Sequence, residues 1–186
     1  MSILSSLEWL ARTPWSIALH ESLYVWPFAE SVHVLTLALF VGSTMMLDLR
    51  LLGLAFRGVP VSELTGRLLP WTRAGFAVMV VSGLLLFYAT PVTYYQSLFF
   101  RIKALLLVAA GINVFVFHSR THHGVGAWDR DAKPPRAARV AAVVSLVAWS
   151  GVVISGRLIA YNWFECDLQT QPAFVNWAAG CVVPAP

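Results

Sequence analysis

The chain has 186 residues, of which 58% are hydrophobic and only 12% are charged. A soluble domain usually carries about twice that share of charged residues, so the composition argues against a soluble protein and indicates one membrane domain over residues 1–186. The formal net charge of +4 does not indicate a nucleic-acid partner, because the basic residues are concentrated in two short segments between apolar runs. The start, MSILSSLEWLARTPW, lacks a basic segment followed by a continuous apolar stretch, so no signal peptide is expected.

The N-terminal segment, residues 5–26, predicts an amphipathic helix that lies on the membrane surface. Thr13 followed by Pro14 is typical of a helix N-cap with proline in the first turn. A helix from Pro14 to about Trp26 would be about 20 Å long, which is too short to span a bilayer. Pro27 is expected to end this helix and to start the first span.

Four apolar runs are long enough to cross a membrane, since a spanning helix needs about 20 mostly apolar residues. They are predicted at residues 29–52, 71–89, 98–117 and 140–161. The predicted fold is therefore all-α: an integral membrane four-helix bundle in contact with lipid, with an N-terminal interfacial amphipathic helix.

The charges in the connecting loops predict the orientation. The first and third loops carry an excess of arginine and lysine, whereas the second, around ATPVTYYQS, has no charge. Positive loops stay in the cytoplasm, so both termini and the tail 162–186 are predicted to face the periplasm of a bacterial inner membrane. The two cysteines, Cys166 and Cys181, would then be oxidised to a disulfide, with a thiol metal site as the alternative.

Ionisable side chains inside a span are costly, and by default they indicate function. Sorted by depth, they form two polar layers. The outer layer contains His20, Glu21, Glu30, His33, Lys103 and Arg157. The inner layer contains Asp48, Arg50, Arg73, Asn113, His118 and Arg139. Within the inner layer, Asp48 and Arg50 are expected to close span one and to pair with Arg139 or Asp129.

Histidine inside a four-helix membrane bundle suggests haem b, because neutral imidazole is a strong axial ligand. His33 and His118 are predicted near opposite faces, about 20 Å apart. The two axial ligands of one iron lie only about 4 Å apart, so these residues cannot share a haem within one subunit. We expect one haem on His33, with the sixth position open or filled by Lys103 or His20. Lys103 and Arg157 could instead pair with the haem propionates.

Two alternatives stay open for these histidines. A second haem could bind at His118, although an ordinary interfacial role is the simpler interpretation of that residue. His33 could simply bond a neighbouring carboxylate. Small residues line one face of span two and one face of span four, where they lie beside Trp149. They favour close packing of the helices, or they allow a flat cofactor to lie against the backbone, in which case Trp149 is expected to contact the cofactor.

A family resemblance is carried by His33, by the run DLRLLG at residues 48–53, by Lys103 and His118 at the two ends of span three, and by GRLIAY at residues 156–161. With this layout the chain resembles a bacterial family of uncharacterised four-helix membrane proteins. More distantly it is similar to the membrane protoporphyrinogen oxidases and to the copper-resistance D-type membrane domains. The oxidases bind haem b, and the resemblance implies their functional roles for His33, Lys103 and His118; the second group implies copper uptake.

Three functions compete on this basis. The first is a haem b protein that transfers electrons with quinone or a partner protein. The second is an accessory or structural subunit of a membrane complex. The third is a copper-handling membrane protein, for which Met45, Met46 and Met79 are the sulfur ligands available in the spans. The sequence does not specify whether the protein is an enzyme, and it leaves a homo-oligomer open.

Overall fold

The computed structural model describes residues 3–120, 124–161, 164, 166 and 171–181. Within these residues the chain forms nine helices and no strand. They are α1 (Ile3–Ala11), α2 (Pro14–His20), α3 (Val25–Leu51), α4 (Val61–Ala89), α5 (Pro91–Tyr95), α6 (Leu98–Arg120), α7 (Val125–Trp128), α8 (Arg136–Ile159) and α9 (Ala173–Ala179). Four of these, α3, α4, α6 and α8, are long and apolar enough to cross a membrane. The predicted all-α four-helix architecture is confirmed.

The spanning helices pack as two pairs, α3 with α4 and α6 with α8, and the pairs meet along α3 and α8. Phe40 of α3 and Trp149 of α8 form the centre of the core, with ring centroids 4.7 Å apart in an edge-to-face arrangement. Large apolar side chains such as Leu105 and Phe115 are exposed on the outer surface of the bundle, as expected for helices in contact with lipid.

The predicted helix over residues 5–26 is divided into α1 and α2, and the chain turns before α3. Thr13 is the N-cap of α2, with its hydroxyl accepting from Ser16 N at 3.4 Å and with Pro14 in the first turn, as predicted. α2 ends at His20, and α3 begins at Val25, four residues earlier than expected, with Val25 N donating to Ser22 Oγ at 3.0 Å. Pro27 lies in the first turn of α3, where proline is tolerated, so the expectation that it ends the preceding helix is wrong.

The α1–α2 segment is attached to the end of α4 that contains Ala89; this end of the bundle is named the outer end, and the opposite one the inner end, after the predicted orientation. The hydroxyls of Thr13 and Tyr88 are 2.9 Å apart, and the buried Ser16 Oγ donates to the main-chain oxygens of Tyr88 at 2.9 Å and Ala89 at 3.2 Å. The last carbonyls of a helix have no partner within that helix, so Ser16 satisfies acceptors that would otherwise be orphaned. Trp9 and Trp15 remain exposed on this segment.

Helix α4 begins at Val61 rather than at residue 71. Its 29 residues would be about 43 Å long, which exceeds the roughly 30 Å of hydrocarbon, so its polar first turns extend past the inner face. Those turns carry the exposed ion pair of Glu63 and Arg67, with an N–O distance of 2.6 Å.

The inner end of the bundle is organised around Arg50, whose side chain is fully buried. Its guanidinium donates to three main-chain oxygens, those of Val59 at 2.7 Å and of Asp129 and Asp131 at 3.2 Å each. One side chain therefore ties both inner loops to α3. Gly53 follows with φ +69°, and an added Cβ would lie 2.6 Å from Ala132 O, so glycine is required there.

Asp48 is also buried, but it does not form the expected ion pair. It accepts a hydrogen bond from Ser145 of α8, and its Oδ2 has no partner among the described residues. Across the part of the chain that the structure describes, the single ion pair is Glu63–Arg67. Arg50 meets Asp129 through the main-chain carbonyl rather than through the carboxylate.

The tail folds back over the outer end of the bundle. Cys166 and Cys181 form the predicted disulfide, with an S–S distance of 2.05 Å. Gly180 ends α9 with φ +68°, and an added Cβ there would lie 2.6 Å from the guanidinium of Arg101. Most other residues of the predicted tail segment lie outside the described residues.

Candidate functional site

His33 lies in the outer half of α3, half-buried against α4. Its Nδ1 is 3.0 Å from Ser82 Oγ. The Ser82 hydroxyl has one proton, which it donates to the carbonyls of Val78 at 2.8 Å and Met79 at 3.2 Å. With this proton directed to Val78, the nearer carbonyl, Ser82 Oγ accepts from Nδ1–H of His33 and Nε2 carries the lone pair of the neutral ring; the roles reverse in the other tautomer. His33 also has a hydrogen bond to the backbone of Met79.

Lys103 of α6 is the cationic member of the outer site. It is half-buried, and its ammonium is close enough for its charge to act on His33. Two glycines make room for these side chains. A Cβ added at Gly83 would lie 3.1 Å from His33 Cε1, and one added at Gly156 would lie 3.5 Å from Lys103 Nζ. All four spanning helices thus contribute to the outer site: α3 with His33, α6 with Lys103, α8 with Gly156, and α4 with both Ser82 and Gly83.

Aromatic rings cover the outer site one helical turn further out. Phe100 of α6 stacks on Phe87 of α4, with ring centroids 5.6 Å apart, and Tyr94 of α5 lies 5.4 Å from Phe100. Burial raises the pKa of the Tyr94 hydroxyl, and the negative charge of Glu30 raises that pKa further. The three rings form one aromatic cluster nearer the outer end of the bundle than Lys103.

The model of a family of unknown function, DUF6644, matches residues 18–162, which is most of the chain. The chain belongs to this family. The match includes α3 to α8 and therefore the whole outer site, whereas α1 and α9 lie outside it. No curated protein and no solved structure matches the chain. Membership of DUF6644 agrees with the expected uncharacterised family; the likeness to protoporphyrinogen oxidases and copper-resistance domains stays a prediction.

In this DUF6644 protein the other predicted site residues lie away from His33 and Lys103. Arg157 is exposed and lies over the ring of Tyr161, with 5.1 Å from Cζ to the centroid. Trp149 is buried in the core against Phe40, about 10 Å further inward along α8 than Gly156. His20 is exposed and packs edge-on against Trp26.

His118 occupies the opposite end of the bundle. It is exposed near the inner end of α6, and the helix places it about 22 Å from the level of Lys103. Because Lys103 lies beside His33, the two predicted metal ligands are at different depths, as the sequence indicates. His118 of the same chain is therefore too far from His33 to be the second ligand of a metal bound there.

In the sequence, Ser82 is one of the small residues of span two, and its hydrogen bond to His33 is not predicted. A single hydroxyl at mid-span is a weak signal, because serine in a membrane helix commonly bonds the carbonyl four residues earlier. Ser82 does so with Val78 and also meets His33. Only the relative rotation of α3 and α4 shows that both contacts occur together.

The structure also bears on metal chemistry. Among the described residues, no group of three or more His, Cys, Asp and Glu side chains could hold a metal ion. Met46 is exposed, whereas Met79 is buried in the core and Met45 packs against it. The three methionines therefore do not form one sulfur site for copper.

The outer site contains one side chain that would serve as an axial ligand of a haem, and one cation. In the tautomer with its proton on Nδ1, His33 presents Nε2, which is the usual arrangement of a metal-binding histidine. Lys103 supplies a cation for a propionate, or an amine. The space beside Gly83 and Gly156 is filled by His33 and Lys103, as the packing interpretation expects.

Proposed function

We propose that this protein binds haem b at the outer site, with His33 Nε2 as axial ligand, and that it transfers electrons there. The single observation that carries the proposal is the hydrogen bond between His33 Nδ1 and Ser82 Oγ, 3.0 Å long, which leaves Nε2 as the metal donor when Nδ1 carries the proton. Such a bond fixes the ring orientation and the tautomer, and it leaves the second nitrogen as the donor atom. Haem b supplies a one-electron iron couple when bound.

Lys103 supports this proposal by its charge and position. A half-buried ammonium without a nearby anion is costly, and a haem propionate would compensate it. In the alternative arrangement, the neutral amine of Lys103 takes the sixth position. The two arrangements differ in spin state, so a spectrum distinguishes them.

We further propose that the outer site faces the periplasm of a bacterial inner membrane. The basic inner loops support this orientation, and so does the disulfide between Cys166 and Cys181, since disulfides persist in oxidising compartments. A membrane quinone or a periplasmic redox protein is then the partner whose depth matches His33.

The test is an absorption spectrum of the protein purified in detergent from cells supplied with a haem precursor. We expect a Soret band that shifts on dithionite reduction, with a single haem per chain. His33→Ala should lose the band. His118→Ala is the matched control, since it removes an imidazole from the other end of the bundle, and it should retain the band.

Two further variants refine the test. Ser82→Ala should retain haem but weaken its binding by about 10- to 100-fold, because the ring loses its orienting partner. Lys103→Met should change the spin state if the amine is a ligand and only the affinity if it pairs with a propionate. A colourless wild-type preparation, or a His33→Ala protein that binds as much haem as wild type, would refute the proposal.

A second function, that of an accessory subunit of a membrane complex, is favoured by aromatic side chains outside the spans. Trp15 and Trp177 are each 78% exposed, on helices that are not needed to build the four-helix bundle. This function predicts a specific partner that co-purifies with the full chain and is lost on Trp15→Ala or Trp177→Ala, with no haem in the preparation.

A further inference from the structure

A groove of about 500 Å³ lies at the inner end of the bundle, where the end of α3 meets the first turns of α8. We call it the inner groove; it is lined by Leu52, Leu54, Arg136, Arg139, Val140, Val143 and Val144. Two guanidinium groups and five aliphatic side chains thus line one cleft, and no acidic residue is among them. This composition is amphiphilic, with a cationic part and an apolar part.

Arg139 is incompletely satisfied within the chain. Its Nε is buried and has no hydrogen-bond partner among the described residues. Asp48, one turn before Leu52 on α3, bonds Ser145 and makes no ion pair with Arg139; the ion pair found in the described ranges is Glu63–Arg67. A buried donor without a partner is costly, and an anionic acceptor from outside the chain would satisfy it and offset the charge of Arg139.

The start of α8 adds to this positive potential. Its N-cap is Pro135, which makes no side-chain capping bond, and its first turn contains no acidic residue. The first main-chain N–H groups of a helix have no partner within it and carry a partial positive charge. Arg136 lies in this turn and Arg139 just after it. Positive side chains at a positive helix end repel one another unless an anion lies between them.

The remaining wall of the inner groove is suited to hydrocarbon. Val140, Val143 and Val144 are exposed on α8 and continue from the arginines toward the middle of the bilayer. Leu52 and Leu54 form the opposite side. A free phosphate ion would leave this apolar surface uncovered, whereas a phospholipid would cover both parts of the groove.

We propose that the inner groove binds an anionic phospholipid of the inner leaflet, with its phosphate at Arg136 and Arg139 and an acyl chain along Val140, Val143 and Val144. Lys133 adds a further positive charge near the groove, since its Cγ lies 4.0 Å from the position that a Cβ added at Gly53 would take. Basic clefts between helices on the cytoplasmic side are known to recognise such head groups. This site does not depend on haem binding.

The experiment is native mass spectrometry of the delipidated full chain with added phosphatidylglycerol or phosphatidylcholine. Wild type should bind phosphatidylglycerol about tenfold or more tightly than phosphatidylcholine. The double variant Arg136→Gln, Arg139→Gln should lose this preference. The control is the double variant Arg67→Gln with Arg73→Gln, which removes the same charge from exposed positions of α4. This control should keep the preference for phosphatidylglycerol. Equal losses in both double variants would mean non-specific surface charge and would overturn the proposal, as would no loss in either.

A steric variant tests the apolar half without altering the charge. Val144→Trp fills the groove from an exposed position, where it should fold normally, and it should reduce phosphatidylglycerol binding to the level of phosphatidylcholine. Unchanged binding in Val144→Trp would overturn the proposal even if the arginine variant fails to fold. Inorganic phosphate should not displace the lipid; displacement would identify a phosphate-ion site instead, and the proposed lipid site would be refuted.

Discussion

Arg50 is the largest of the fully buried side chains that the structure describes, and its charge is balanced by carbonyl dipoles rather than by a carboxylate. The sequence predicts the depth of Arg50 correctly, because a polar residue near a span end is easily placed. Its partners are not predictable, since main-chain carbonyls carry no signature in a sequence. The nearby acidic residues Asp48 and Asp129 therefore suggest an ion pair that does not form.

Arg50→Lys should be strongly destabilising for this reason. A lysine has no planar fork of donors, so it leaves buried carbonyls of Val59, Asp129 or Asp131 without a partner. We expect the free energy of unfolding to fall by about 3 kcal/mol, measured by melting in detergent. Arg73→Lys, at an exposed position of α4, should melt like wild type. Equal melting of both variants would show that the three hydrogen bonds contribute little.

At the scale of elements, the early start of α4 has a specific cause. Pro60, its N-cap, makes no side-chain capping bond. Asp129 of the other inner loop replaces that cap, since its carboxylate accepts from Ser62 N at 2.7 Å and from Ser62 Oγ at 2.6 Å. Its main-chain oxygen also accepts from Val61 N at 3.0 Å. Hydropathy alone cannot reveal a cap supplied by a residue so distant in sequence, so the sequence places only the apolar part of α4.

The cap should make stability depend on pH. The hydrogen bonds from Ser62 hold the pKa of Asp129 below its ordinary value. A lowered folded-state pKa means that the carboxylate stabilises the fold above its ordinary pKa near 4, and that this contribution is lost as the pH falls through the folded value. Asp129→Ala should therefore lower the unfolding free energy by about 1 kcal/mol at pH 7, and the gap to wild type should close toward pH 3. A gap that stays constant across this range would contradict the role of the charge.

At the scale of the whole molecule, the sequence predicts the four spans and the disulfide, because the spans depend on composition along one helix and the disulfide depends on compartment. It does not predict that Lys103 packs beside Gly156 while Arg157 is exposed. Residues 156 and 157 are adjacent in sequence but lie on different faces of α8, and the rotation of α8 against α6 decides which face is inside. Side-chain packing between helices has no counterpart in hydropathy.

The orientation itself can be tested on the intact chain. Alkaline phosphatase, which is active only after export, should be active when fused to the C-terminus, and a fluorescent protein that matures only in the cytoplasm should be dark there. Fusions within the loop between α6 and α8 should give the opposite results. Cytoplasmic signals from the C-terminal fusion would reverse the proposed orientation and move His33 to the inner leaflet.

The core around Phe40, Met79 and Trp149 lies between His33 and Asp48, which the helix rise places about 20 Å apart along α3. Under the proposed function, an electron delivered at His33 would therefore leave from the same side of this core. Turnover at this site would then be electrically silent: charge would circulate along one surface of the membrane without adding to the voltage across it.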